Sequence, residues 1–173
     1  MLDLIKSRYS TKKYSDRDVS DELIGKIVDA GVWAPSGRNR QVVRFLVIKD
    51  KETIKILSKA NAEVGGFPEG SDPFYGAPVV VVVFADREIH THVEDGSLAL
   101  GNMLLAAHAL GVGSCWVHRA KETFEMDECR EIARRCGIPD SYIGVGNCIL
   151  GYAADGASFT VKPRVEGRVH YCK

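Results

Sequence analysis

Val79-Val80-Val81-Val82-Val83-Phe84 is the stretch on which the fold turns. Successive residues of a strand point to opposite faces, and neither face of this run carries a polar group, so it reads as a strand buried on both sides. The enclosing apolar run, Ala77 to Ala85, is far too short to span a bilayer. Working outward, the next strong signal is Val93 to Leu110, a helix about 27 Å long by the usual rise per residue. Leu98, Leu100, Met103, Leu104, Leu105 and Leu110, with Ala99, Ala106, Ala107 and Ala109 between them, surround it almost completely. A helix apolar on nearly every side must be covered on every side. In a chain of 173 residues it is either a central core helix or a subunit interface.

The rest of the chain continues the alternation. Ser20 is placed to cap a helix, with Val19 stapled onto Ile24, and Leu23, Ile24, Ile27, Val28 and Gly31 form its stripe until Pro35 and Gly37 stop it. Phe45 to Ile48 reads as a strand, Thr53 to Leu57 as part of a short helix, and residues 61–76 as a loop rich in glycine and proline. Gly111 ends the long helix. Ser114 to Val117 and Val145 to Leu150 read as strands, and Glu122 to Cys136 as one amphipathic helix closed by Gly137 and Pro139. Taken alone, this periodicity suggests an α/β fold with parallel strands. The tail from Tyr152 onward is irregular and basic. No linker or repeat divides residues 1–173, so a single domain is expected.

Composition limits the functions. The chain is 45% apolar and 27% charged, which argues against disorder. Its 23 basic and 23 acidic side chains cancel, so no nucleic-acid and no membrane partner is expected. The cancellation hides two basic ends: residues 1–44 hold nine basic against six acidic side chains, and residues 160–173 hold four against one. The start has no basic segment followed by an apolar one, so no signal peptide is visible and a cytoplasmic location is expected. The five cysteines are odd in number and form no C-x-x-C. They suggest neither a disulfide framework nor a zinc ribbon, and Cys129 and Cys136 read as small buried hydrophobes.

The common phosphate and nucleophile motifs are missing. No G-x-x-x-x-G-K-[ST] or G-x-S-x-G occurs. Gly111-Val112-Gly113 follows a helix and Gly144-Val145-Gly146 opens a strand, so neither has the strand–turn–helix setting of a dinucleotide site. His90, His92, Glu94 and Asp95 lack a third ligand at tight spacing, and no metal is expected. Asp95 reads as an acidic residue favouring the start of the long helix.

What remains is a pattern of anion-binding residues. In Arg8-Tyr9-Ser10-Thr11-Lys12, alternate residues of an extended segment offer a guanidinium, a hydroxyl and an ammonium to one anion, and Lys162-Pro163-Arg164 repeats that spacing. Between them lies the turn Ala34-Pro35-Ser36-Gly37-Arg38-Asn39-Arg40-Gln41. These segments, with Ala77-Pro78 and its valine strand and the helix running into Gly113-Ser114-Cys115-Trp116, resemble the nitroreductase family of flavin mononucleotide enzymes. The four segments occur in the family's order over most of the chain. The sequence departs from the pattern after Gln41, where Val42-Val43 stand in place of a proline and an aromatic residue.

The resemblance implies an α+β three-layer sandwich, with a mixed, mainly antiparallel sheet flanked by helices, in a homodimer that carries FMN at its interface. It implies that Arg8, Ser10, Lys162 and Arg164 hold the flavin phosphate beside Tyr9. Lys12 would lie near the N1/O2 edge of the ring, stabilising charge that develops there. Ser114, Cys115 and Trp116 would pass the ring, and Pro35, Ser36, Asn39 and Gln41 would reach it from the other subunit. No protein nucleophile is implied, because the cofactor carries the chemistry. The implied activity is ping-pong hydride transfer from NAD(P)H through flavin N5 to a small-molecule electron acceptor such as a nitroaromatic or quinone. A specialised dehalogenase or dehydrogenase of the same family and a non-enzymatic flavin-storage protein stand as alternatives. Loop 61–76, with Phe67, Phe74 and Tyr75, reads either as a substrate cover or as a set of core anchors.

Overall fold

The computed structural model describes residues 1–157 and 159–172. Its elements, in chain order, are α1 (Leu2–Ser7), α2 (Asp21–Val32), a 3-10 turn (Gly37–Asn39), β1 (Val43–Ile48), α3 (Lys51–Gly65), β2 (Val79–Asp86) and α4 (His92–Ala109). β3 (Gly113–Val117), α5 (Ala120–Thr123), α6 (Asp127–Arg135) and β4 (Tyr142–Gly151) follow. The strands form one sheet in the order β1-β2-β4-β3, and all three pairings are antiparallel. The parallel arrangement suggested by periodicity is therefore replaced by an α+β sandwich. Alternation of side chains specifies which face a residue occupies and is silent on strand direction.

The valine run is buried on both faces because it has a helical layer on each. Val80, Val82 and Phe84 join Leu46, Ile48, Cys115 and Ile149 against α3, α5 and α6. Val79, Val81, Val83 and Ala85 join Cys148 and Leu150 against α2 and α4. Phe84 is fully buried and meets the Phe124 ring edge-on, with centroids 4.8 Å apart. α4 covers the sheet with Leu100, Met103, Leu104 and Ala107, while Leu98 on its other side remains 49% exposed and Leu105 and Ala106 are half-buried. Within one chain, the sheet and α2 cover part of the long helix and leave its Leu98 face exposed.

Local signals explain the boundaries. The Ser20 hydroxyl accepts from the Leu23 N–H at 3.3 Å, and Val19 and Ile24 are buried in the same cluster, as the cap and staple require. α3 runs further than its sequence stripe suggested. Asp50 caps its start by accepting from the Thr53 N–H at 2.8 Å, and its C-cap is Gly66 in the left-handed conformation, so residues 61–65 are helix and the loop begins after them. The expected helix 122–136 is two helices. Met126, with extended backbone, separates α5 from α6 while Phe124 is buried between them. Cys129 is buried as expected, whereas Cys136 is exposed at the end of α6. α1 carries too weak a stripe to be read from sequence, and its Leu2 and Ile5 are exposed. No helix among the described residues is long and apolar enough to cross a membrane.

Candidate functional site

The residues 8–12 leave α1 as an extended segment and lie against β3, where the Thr11 N–H donates to the Ser114 carbonyl at 2.9 Å. The extended backbone sorts the side chains by parity. Thr11 turns inward and is fully buried, while Ser10 and Lys12 face outward. Ser10 and Lys12 line a cavity of about 310 Å³ together with Cys115 and Trp116 of β3 and with Phe67 and Tyr75 of the preceding loop. Tyr9, Thr11 and Ser114 line a smaller neighbouring cavity of about 160 Å³. The Thr11 and Tyr14 hydroxyls are buried and lack a hydrogen-bond partner among the described residues. Burial also pushes the Tyr14 hydroxyl far above the usual phenol range.

Loop 66–78 reaches this cavity through a carboxylate clamp. Asp72 accepts from the Phe74 N–H at 2.9 Å, the Gly76 N–H at 2.6 Å and the Ser58 hydroxyl at 2.5 Å. The residue between those amides, Tyr75, has φ of 54° and presents its ring 5.7 Å from the Lys12 ammonium. Phe74 is buried to 1% and is a core anchor, while Phe67 is 52% exposed beside the cavity. Of the two readings of the loop, Phe74 fits the core anchor, and Phe67 and Tyr75 line the cavity. A larger cavity, about 790 Å³, lies between α3 and this loop and shares Phe67 with the first.

Three sequence motifs are placed in distinct ways. The tail begins near the first: the Phe159 ring stacks on Tyr9 with centroids 4.0 Å apart. At no more than about 3.6 Å per residue, Lys162 lies within roughly 11 Å of that anchor along the chain. Lys162 and Arg164 are themselves exposed. The turn 35–41 sits elsewhere, in a cavity of about 360 Å³ lined by Pro35, Ser36, Gln41 and Asp95. It is tightly wound: the Ser36 hydroxyl accepts from the Gln41 N–H at 2.9 Å, and the Gln41 amide donates to Asn39 Oδ1 at 3.1 Å. Arg38, Asn39 and Gln41 all have φ between 53° and 56°. Left-handed backbone costs an L-residue roughly 1–2 kcal/mol, less for asparagine, so something must hold this shape.

α4 measures the distance between the two places. Near its end, His108 Nε2 is 3.0 Å from the Ser7 hydroxyl and its ring meets Tyr9 edge-on at 5.7 Å. At its start, Asp95 accepts from the Gly37 N–H at 2.9 Å and from the Thr91 hydroxyl at 3.2 Å. A helical rise of about 1.5 Å per residue puts roughly 20 Å between these attachments. One chain therefore brings residues 8–12, 114–116 and the start of the tail together, and holds 35–41 at the opposite end of α4. His108, Phe159 and Thr11 were not legible as parts of the site; only the parity of the 8–12 segment pointed to Thr11. Among the residues considered for a metal, Asp95 is engaged with the turn and His92 Nδ1 is 2.7 Å from the Ile89 carbonyl. No group of three or more His, Cys, Asp or Glu placed to hold a metal occurs among the described residues.

The cavity beside Ser10 and Lys12, aromatic on several sides with an ammonium and a hydroxyl at its edge, suits a planar, polar-edged group that carries negative charge. Comparison with known proteins points the same way. A protein of Archaeoglobus fulgidus, provisionally named an NADH dehydrogenase/NAD(P)H nitroreductase, is 36% identical over 163 residues, covering 91% of this chain and 88% of its own length. The FMN reductase [NAD(P)H] of Bacillus subtilis is 26% identical over 190 aligned positions, covering 95% of this chain and 71% of its own length. A nitroreductase of Bacteroides fragilis, solved with bound FMN, superposes with a TM-score of 0.92 at 27% identity, over 99% of this chain and 98% of that one. The family model for nitroreductases matches residues 5–152, with the outward-facing Ser10 and Lys12, the wound turn and β3 all inside the match, and the chain belongs to the nitroreductase family.

Proposed function

We propose that the protein is an FMN-dependent oxidoreductase that passes hydride from NAD(P)H to a small electron acceptor. The observation that carries this reading is the shared cavity of Ser10, Lys12, Cys115 and Trp116, which joins the anion-binding motif to the edge strand. Those residues fit the cofactor: an aromatic-walled space for a ring system with a cation and a hydroxyl at its polar edge and, in the neighbouring cavity, a buried Thr11 hydroxyl without a partner among the described residues. FMN, when bound, would supply the electron chemistry between nicotinamide and acceptor.

The chain's own residues bind and bias. Arg8, Ser10, Lys162 and Arg164 neutralise the phosphate through charge-assisted hydrogen bonds, with Tyr9 pinning the tail beside them through Phe159. The Lys12 ammonium stabilises negative charge that develops at the N1/O2 edge. Ser114, Cys115 and Trp116 run past the ring. Phe67 and Tyr75 stand where a planar acceptor would enter.

Pro35, Ser36, Asn39 and Gln41 complete the site in a homodimer. Two α4 helices packed antiparallel about a two-fold axis bring the start of one to the end of the other, so each chain's turn meets its partner's 8–12 motif. The exposed Leu98 face of α4 supplies apolar surface for that contact. A donor and an acceptor that shared one exposed face of the bound ring would have to bind in turn, which is why the proposed cycle is ping-pong.

The test is anaerobic addition of NADH or NADPH to protein reconstituted with FMN. Loss of the flavin absorbance on mixing, and its return on adding a nitroaromatic or quinone, is the expected result. Tight FMN binding with no bleaching by either nicotinamide would favour a storage protein or a dehalogenase or dehydrogenase with another donor. A protein that cannot be loaded with FMN would end the reading.

A further inference from the structure

We propose that Asp95 is a positioning residue that acts across the subunit interface, holding the 35–41 turn of its own chain in the shape that closes its partner's flavin site. The inference rests on the FMN reading above and goes beyond it in assigning a role to a residue outside every binding motif. Asp95 lies within α4, where the residue is 3% exposed yet lines the same cavity as Pro35, Ser36 and Gln41. Its two oxygens are divided between the turn and the helix: one accepts from the Gly37 N–H at 2.9 Å, the other from the Thr91 hydroxyl at 3.2 Å.

This anchor is placed where the turn needs it. Gly37 opens the segment in which Arg38, Asn39 and Gln41 take left-handed backbone, a shape that relaxes unless its ends are held. The hydrogen bonds within the turn, Gln41 N–H to Ser36 and Gln41 amide to Asn39, tie it to itself but not to the rest of the molecule. Asp95 supplies the tie to α4. A Cβ on Gly37 would collide with the Thr91 hydroxyl, so the backbone is also pressed against the helix start at the point where the carboxylate grips it. The buried acid also has a functional explanation that the dipole of α4 alone does not provide: it orients a surface presented to the other chain.

Mixed dimers test the assignment. FMN affinity is read by quenching of flavin fluorescence, and folding by the melting temperature of the apoprotein. Asp95→Ala is expected to weaken FMN binding roughly tenfold, the equivalent of one charge-assisted hydrogen bond. Asp95→Asn, which keeps an oxygen for the Gly37 N–H, is expected to restore most of that loss. Gly37→Ala displaces the turn with Asp95 intact and is expected to copy Asp95→Ala, which keeps the test valid if the alanine at 95 fails to fold.

The decisive arm pairs an Arg8→Ala chain with an Asp95→Ala or Gly37→Ala chain. If Asp95 serves the partner, one site of the mixed dimer carries both lesions and the other none, so half the sites recover wild-type affinity although neither homodimer binds well. A mixed dimer with no high-affinity site would overturn the inference, as would an Asp95→Ala homodimer that binds FMN like wild type. A wild-type dimer that took up no FMN would remove the flavin reading itself, which separates the two failures.

Discussion

Replacing Gly113 by alanine is expected to loosen the molecule at the seam on which the site is built. Gly113 opens β3 opposite Gly151, and a Cβ there would lie 2.7 Å from the Thr11 hydroxyl oxygen and 2.9 Å from the Gly151 carbonyl oxygen. The carbonyl belongs to the β3–β4 ladder, so relieving both contacts shifts β3 against β4 and pushes Thr11 out of place. Overpacking of this kind costs about 1–3 kcal/mol. Loss of the Thr11 N–H bond to the Ser114 carbonyl, 2.9 Å long, adds about 1 kcal/mol. For a chain of this size each kcal/mol shifts the melting temperature by about 2–4 °C, so a destabilisation near 3 kcal/mol lowers it by about 6–12 °C. Thr11 carries Ser10 and Lys12 with it, so FMN affinity falls as well. Thermal melts and flavin titration measure the two effects. Gly25→Ala in the exposed interior of α2, where no atom lies within 4 Å of the new methyl, is the control and should gain about 0.5–1 kcal/mol. A Gly113→Ala protein that melts with the wild type and binds FMN unchanged would refute the steric argument.

Arg164→Ala should weaken FMN binding by about 1.5–3 kcal/mol, the worth of a charged hydrogen bond; unchanged affinity would remove Arg164 from the phosphate site. Phe84→Ala, at the centre of the core beneath Phe124, should cost about 3–5 kcal/mol by urea denaturation, and a loss below about 1 kcal/mol would contradict its packing. Asp140 accepts from Arg134 Nε at 2.8 Å and Arg130 Nη2 at 3.1 Å, and these two guanidinium groups hold its carboxyl below the ordinary range. A depressed folded-state pKa contributes stability above the unfolded value, and that stability is lost as pH falls through the folded one. Asp140→Asn should therefore be less stable than wild type at pH 7, and the gap should close as pH falls below the ordinary carboxylate value of about 4. Urea midpoints compared across that range check this; a gap independent of pH would place the effect elsewhere.

Much of the molecule could be read along the chain because the signals are local. The strand Val79–Phe84, the Ser20 cap with its Val19 staple, and the long helix that begins near Val93 all depend on residues a few positions apart. The parity of residues 8–12, which puts Ser10 and Lys12 on one side and Thr11 on the other, is a property of extended backbone and follows from order alone. Other boundaries differ from the sequence pattern for separate reasons. The glycines at the end of α3 resemble a loop although Asp50 caps the helix start, and the break between α5 and α6 comes from the tertiary packing of Phe124. The aromatic residues of loop 66–78 were ambiguous until Asp72 and the core assigned Phe74 inward and Tyr75 toward Lys12.

By itself the sequence determined the parity of its extended segments and where most elements begin, since each is encoded in spacing within a turn or two of chain. Tertiary structure alone decided strand direction, because side-chain alternation is the same in parallel and antiparallel sheets. It also decided that the 8–12 motif attaches near the end of α4 and the 35–41 turn at its start. The 20 Å or so between them comes from the length of α4, whose two ends hold segments distant in sequence. A local pattern cannot express that separation.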